Sequence, residues 1–462
     1  MLIQNGNVVL ESEVRPADIR VESGKIIEVG ESLPHKIDEI ILDAAGCYIV
    51  PGGIDAHTHL DMPCGDITTA DGFQAGSLAA IAGGTTTVLE YAECAAGETL
   101  EQGLANWHRK AAGKSYCDYG FHMTVSAWTK DMPAQMAAMT ANGVTSFKTY
   151  TAYQNDIGVD DYALFRIMQE AGRLGAIVCV HCENDGLLRA FYEDLETRKG
   201  DVSAYPDSRP NLVEAEAVSR AADIGMLAGA TVYIVHISTK EGVEVIRRAG
   251  ERGQIIFGET CPHYLLLDRS RYDLPGFEGA KFVISPPLRT LEDQSALWVA
   301  LQDGKLQTVS TDHCAFRFSD QKMLGRQDFR KIPNGVPSVE HRLELLYTFG
   351  TAQGMTLPQI AAVTAWNPAK IFGLSHRKGR IAPGYDADLV LLDLNAPHVL
   401  SAATQVQAVD YTPYEGMWVQ AKVDTVLLRG QILMRNRALV AEKPHGNYLF
   451  RTLHQQKRNK EE

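Results

Sequence analysis

The chain has 462 residues, 45% of them hydrophobic and 22% charged, the composition of an ordinary globular protein long enough for one large core and a smaller one. Its 44 Lys and Arg against 57 Asp and Glu leave a net charge of -13 with no long basic cluster, which argues against nucleic acid or a membrane surface and for a small neutral partner. The opening MLIQNGNVVL lacks the basic and apolar regions of a signal peptide, and the eight cysteines are scattered, so a cytoplasmic protein with free thiols is expected.

In chain order, the first 50 residues read as short strands separated by turns, at 2–3, 8–10, 18–22, 25–29 and 40–42. Apolar β-rich runs then alternate with longer helical stretches, with eight strands expected at 53–59, 85–91, 118–125, 145–150, 176–181, 231–236, 254–259 and 306–312. Eight such units suggest a (β/α)₈ barrel over 51–378, although a doubly wound open sheet gives the same alternation. The strand texture returns at 388–393, 425–428 and 431–434, so residues 1–50 and 379–440 are expected to pair into one small β-sandwich. The polar tail, 441–462, reads as a solvated extension or an oligomer arm.

Five polar groups at strand ends carry the chemistry. His57 and His59, two apart, share a face of the first strand; His181, His236 and Asp312 close the fifth, sixth and eighth. An HxH pair alone is weak, but in a barrel the C-terminal strand ends converge on one mouth, and burying four imidazoles and a carboxylate there for packing alone is costly. Such donors suit a divalent metal: Zn first, with Mn, Fe, Co or Ni as alternatives.

Lys148 closes the fourth strand and admits three readings: a snorkelling or ion-paired lysine, a Schiff-base lysine, or a desolvated amine that takes up CO₂ to form an anionic carbamate (N6-carboxylysine) bridging two dications. The carbamate is favoured, because an ammonium would be repelled by those cations. Other signals are bland. The CxxC of Cys179 and Cys182 points its thiols to opposite faces, Gly83-Gly84 marks a tight turn, and His108, His122, His263 and His341 lack convergent context. His313 should point away from the mouth, with at most a supporting role.

The set HxH, FK, VHxEN, VHxS, ISPPLR, STDHC and PNG, in this order from Asp55 to Gly335, resembles the hydantoinase/dihydropyrimidinase family, D-hydantoinases and D-phenylhydantoinases included, of the cyclic amidohydrolase superfamily. The resemblance implies the barrel with a terminal β-sandwich, a binuclear metal centre and a homotetramer, or else a homodimer. It places His57, His59, Lys148 and Asp312 on one metal, and Lys148, His181 and His236 on the other. Tyr153 would match the tyrosine that stabilises the oxyanion; Ser285 and Asn334 would match positions whose backbone holds the ring amide and ureide. Leu60, Met62, Cys64 and Tyr150 would shape an apolar pocket for the ring substituent.

These roles imply hydrolysis of a cyclic amide by a metal-bridging hydroxide, with Asp312 as general acid/base and an N-carbamoyl amino acid as product. Asp61, two residues after His59, stands where dihydroorotases carry an arginine, and an acid there would repel a substrate carboxylate. Allantoinase or another cyclic imide hydrolase is the alternative enzyme. A non-catalytic scaffold resembling the collapsin response mediators is the alternative without chemistry.

Overall fold

The computed structural model describes residues 1–453. Eight parallel strands run in the order Gly53–Thr58, Thr85–Ala92, Asp118–Thr124, Ser146–Tyr150, Ile177–His181, Thr231–Ile234, Ile256–Thr260 and Thr308–Val309, forming a nearly closed barrel. They read as continuous apolar or small-residue runs because both faces are covered: every residue of Ile177–His181 and of Thr231–Ile234 is buried. Closure comes from the His59 N–H donating to His313 O at 2.9 Å and from a parallel bridge between Thr58 and His313.

Four strands end earlier than the sequence pattern suggests, the third by one residue at Thr124 and three others at the site. The first stops at Thr58, the sixth at Ile234 and the eighth at Val309, so His59, His236 and Asp312 lie on the turns beyond them. His236 and Asp312 have φ of +40° and +47°, and Tyr153 has +61°. Such left-handed backbone is sparsely populated for non-glycine residues and persists only where the surroundings dictate it.

Strands from both chain ends form a separate nine-stranded sheet, joined where Tyr48–Pro51 pairs antiparallel with Leu389–Asp393. The sheet meets the barrel through a buried ion cluster. Lys378 Nζ lies 2.6 Å from Asp118, 3.1 Å from Asp386 and 2.5 Å from Asp388, Asp118 opening the third barrel strand. Arg429 adds a second cation to Asp118, and Arg377 and Lys25 pair with Asp386. The three carboxylates are close enough together to suit a metal, but the lysine ammonium already sits among them.

The chain then returns beneath the barrel. Leu449 N–H donates to Tyr119 O at 2.7 Å, and the Arg451 guanidinium enters the floor to reach Ser146 Oγ at 2.9 Å and Phe121 O. The remainder of the expected oligomer arm, 454–462, lies outside the described residues. No helix among the described residues is long and apolar enough to cross a membrane.

Removing the ammonium would leave three buried acids facing one another. Lys378→Met should destabilise the protein by roughly 3 to 5 kcal/mol, read as a lowered unfolding midpoint; an unchanged midpoint would show that the cluster does not hold the two parts together.

Candidate metal centre and active site

The four imidazoles meet in two facing pairs. His57 Nε2 and His59 Nε2 are 3.2 Å apart, with Asp312 Oδ1 at 3.0 and 3.1 Å from them. His181 Nδ1 and His236 Nε2 are 2.9 Å apart, and the His57 and His236 rings stack with centroids 5.4 Å apart, joining the pairs. Lys148 Nζ lies 4.3 Å from the centroid of the Tyr91 ring and 4.9 Å from that of Tyr150. All six donor side chains are buried.

Carboxylates that the sequence reading did not single out set the imidazole orientations. Glu259 Oε1 is 2.6 Å from His57 Nδ1, which puts the proton there and leaves the Nε2 lone pair facing the cluster. Glu259 is itself held by the Tyr233 hydroxyl at 2.7 Å and the His236 N–H at 3.1 Å. Glu183, the acid of VHxEN, sits 3.0 Å from His181 Nε2 and is paired with the buried Arg209, leaving His181 Nδ1 for the cluster. Their only signal in the sequence is position, Glu259 at a strand end and Glu183 two residues past His181.

Burial opposes every charge here, and the local partners decide where it survives. His59 is pulled down to about 4 by burial despite Asp312, and burial also lowers His181 and, strongly, His236. His57 is pulled down by burial, but Asp312 and Glu259 outweigh that and leave it raised. Burial pushes Asp312 up, yet His57 and His59 hold it well below the usual carboxylate range. Burial lowers Lys148 from the usual lysine range, shifting it toward the neutral amine, and it makes no ion pair among the described residues.

This donor set fits divalent metal. The His57 and His59 nitrogens converge at 3.2 Å with Asp312 Oδ1 within 3.1 Å of both, close enough together to share one dication, and the His181 and His236 nitrogens converge at 2.9 Å. Nitrogen and carboxylate donors of this kind suit Zn and its neighbours.

The substrate-facing residues divide. Tyr153 packs against His181 with centroids 5.5 Å apart, and burial pushes its phenol up to about 12, so it stays a donor at neutral pH. The Tyr205 hydroxyl contacts Ser285 Oγ at 3.1 Å and Asn334 Oδ1 at 2.9 Å, drawing those two residues together. Tyr150 lies 5.5 Å from the His181 ring; Met62 and Cys64 are half-buried in the loop after the first strand.

Two expectations need correction. Leu60 is 1% exposed and packs on Gly76 of the helix Phe73–Ala82, so it belongs to the core and not to a substituent pocket. Asp61 turns the same way: its carboxylate accepts from the Phe73 N–H at 2.8 Å, satisfying a free donor at that helix start. Glu93, which follows the second strand, is pushed up to about 7 by burial first and Asp156 next, while Lys148 opposes. His313 does point away, its Nε2 3.0 Å from Asp71 and its Nδ1 accepting from the Ser338 and Val339 N–H groups.

The sequence profile of the amidohydrolase family matches residues 48–433. A D-hydantoinase of Geobacillus stearothermophilus is 44% identical over 456 residues, covering 97% of this chain and 96% of its own. A D-hydantoinase of Streptomyces coelicolor is 41% identical over 452 residues, covering 97% of each chain. The crystal structure of dihydropyrimidinase from Brevibacillus agri superposes with a TM-score of 0.96 at 42% identity, over 98% of this chain and 99% of that one.

If Glu259 fixes the tautomer of His57, Glu259→Gln should lower metal affinity or turnover about 10- to 100-fold. Metal titration with parallel kcat measurement checks this, and wild-type values in both would remove Glu259 from the site.

Proposed function

The chain belongs to the amidohydrolase family, and on that premise we propose that it is a D-selective hydantoinase that opens 5-substituted hydantoins and dihydropyrimidines to N-carbamoyl acids. The observation that carries this reading is the convergence of His57, His59, Lys148, His181, His236 and Asp312 from the ends of five barrel strands. The relatives' names support the ring-amide substrate class and the D preference.

His57, His59 and Asp312 would hold one dication, His181 and His236 the other, with Lys148 joining both as its carbamate; the metal is proposed to be zinc. Divalent metal bound by these residues would supply Lewis-acid activation of a water and of the scissile carbonyl. The neutral amine that burial favours at Lys148 is the form that adds CO₂.

Asp312 is the proton carrier. Its carboxylate is ionised, it lies within 3.1 Å of the two histidines of the first pair, and it can take a proton from the attacking water and pass it to the departing ring nitrogen. Tyr153, protonated and beside His181, donates to the oxygen that gains charge. Backbone groups at Ser285 and Asn334 hold the amide and ureide edge. Tyr150, Met62 and Cys64 surround the ring substituent with apolar surface, which leaves an anionic one unpaired and disfavours it.

The test is a hydrolysis panel of hydantoin, dihydrouracil, both 5-phenylhydantoin enantiomers, allantoin and dihydroorotate on one metal-loaded preparation. D-5-phenylhydantoin and dihydrouracil should turn over, with dihydroorotate lower in kcat/KM by at least about 100-fold. Preferential turnover of allantoin, or equal rates with dihydroorotate, would reject the assignment.

Two substitutions separate the assigned roles. Lys148→Ala should purify with fewer than two metals per chain and little activity, whereas Asp312→Asn should keep most of its metal and lose about 100-fold or more in kcat. A fully metallated, active Lys148→Ala protein would rule out the carbamate.

A further inference from the structure

Lys322 is fully buried, at the start of a short turn, Lys322–Gly325, between the last barrel strand and Asn334. Its Nζ donates three hydrogen bonds, to Val283 O at 2.8 Å, Pro333 O at 2.7 Å and Gly335 O at 2.7 Å. Those acceptors belong to two segments. Val283 lies two residues before Ser285, and Pro333 and Gly335 flank Asn334.

The two segments also touch directly, the Gly335 N–H donating to Val283 O at 3.0 Å. Gly335 has φ of +145°, and a Cβ there would lie 2.3 Å from Cys314 O, so the backbone follows a path that a larger residue could not take. The Tyr205 hydroxyl ties the pair a second time, at Ile284 O (2.9 Å), Ser285 Oγ (3.1 Å) and Asn334 Oδ1 (2.9 Å).

Three carbonyl oxygens converging on one point repel one another unless a cation with three N–H groups on a single atom lies between them. A lysine ammonium is the one side chain with that geometry. The arrangement is costly as packing. No carboxylate pairs with Lys322 among the described residues, and burial pulls its amine down to about 7, with the Cys314 and Cys64 thiols opposing. A methionine would fill similar volume without that cost.

We propose that Lys322 is a positioning residue of the active site: its three bonds hold the Ser285 and Asn334 segments at the spacing at which their backbone groups take the ring amide and ureide of the substrate. This rests on the hydantoinase reading above. Lys322 itself touches neither substrate nor metal; it acts through the two segments, and Tyr205 shares that task.

The full-length, zinc-loaded protein is assayed on hydantoin and D-5-phenylhydantoin as wild type, Lys322→Met and Tyr205→Phe, with metal content and thermal midpoint measured on the same preparations. Lys322→Met should keep wild-type metal and raise KM by about 10- to 100-fold, with kcat falling less, because loosened segments misplace the ring. Tyr205→Phe should raise KM in the same sense by a smaller factor. A Lys322→Met protein with a lower midpoint but unchanged KM and kcat would make the lysine structural only and overturn the proposal, as would an activity loss that merely tracks lost metal. Should Lys322→Met fail to fold, Tyr205→Phe decides, and an unchanged KM there sinks the idea. A wild type that opens neither substrate rejects the functional reading itself, and this proposal falls with it.

Discussion

One carboxylate adds a side-chain lock to the backbone closure between the first barrel strand and the segment that follows the last, and the centre depends on that lock. Asp55 accepts from the Thr311 N–H at 3.0 Å and from the Thr311 hydroxyl at 2.6 Å, across 256 residues of sequence. Its Oδ1 also takes the His57 N–H at 3.3 Å, so a single buried acid positions the residue before Asp312 and the first imidazole of the cluster. Arg342 reinforces the seam, donating to Ile54 O at 2.9 Å, Val309 O at 3.0 Å and Thr85 Oγ1 at 3.0 Å. Without this closure Asp312 would lose its approach to His57 and His59.

From that seam outward, the centre is a set of dipoles and charges fixed before any ligand arrives. Buried imidazoles are free to choose a tautomer only until a neighbour chooses for them, and Glu259 and Glu183 do so for His57 and His181. Glu183 is in turn held ionised, near 2, by Arg209, which outweighs the burial that pushes it up. The left-handed backbone at His236, Asp312 and Tyr153 belongs to the same pattern: strain concentrates where groups must be aimed and is carried by the rigid barrel beneath. Lys322 and Tyr205 extend the same logic from the metal ligands to the segments that would hold substrate.

The parts remote from the centre keep the barrel in register. The Lys378 cluster joins the terminal sheet to the start of the third strand, while Arg451 fills the floor with bonds to the third and fourth strands. Both are buried cations satisfied at several points, which makes each exacting about geometry. Their place at the opposite end of the strands leaves the mouth free for chemistry, the division of labour expected of this architecture.

How much of this was legible in the sequence follows from the range of each interaction. Strand alternation and apolar runs are local, so eight strands and the pairing of both ends were readable, and HxH, Lys148, His181, His236 and Asp312 stood out as polar groups closing apolar runs. What alternation could not say is where a strand ends and the chain turns. Leu60 and Asp61 follow His59 directly, yet the turn sends both onto the helix Phe73–Ala82, because that helix start needs a carboxylate and Gly76 leaves room for a leucine. Glu259, Glu183 and Lys322 looked like ordinary charged residues, since their partners lie at a strand 202 residues away, on a distant arginine, or on carbonyls of two separate loops. The sequence by itself determined the donor types and the strands that bear them, as these follow from composition and period; only the tertiary structure decided their aim, as this depends on contacts that exist once the barrel has closed.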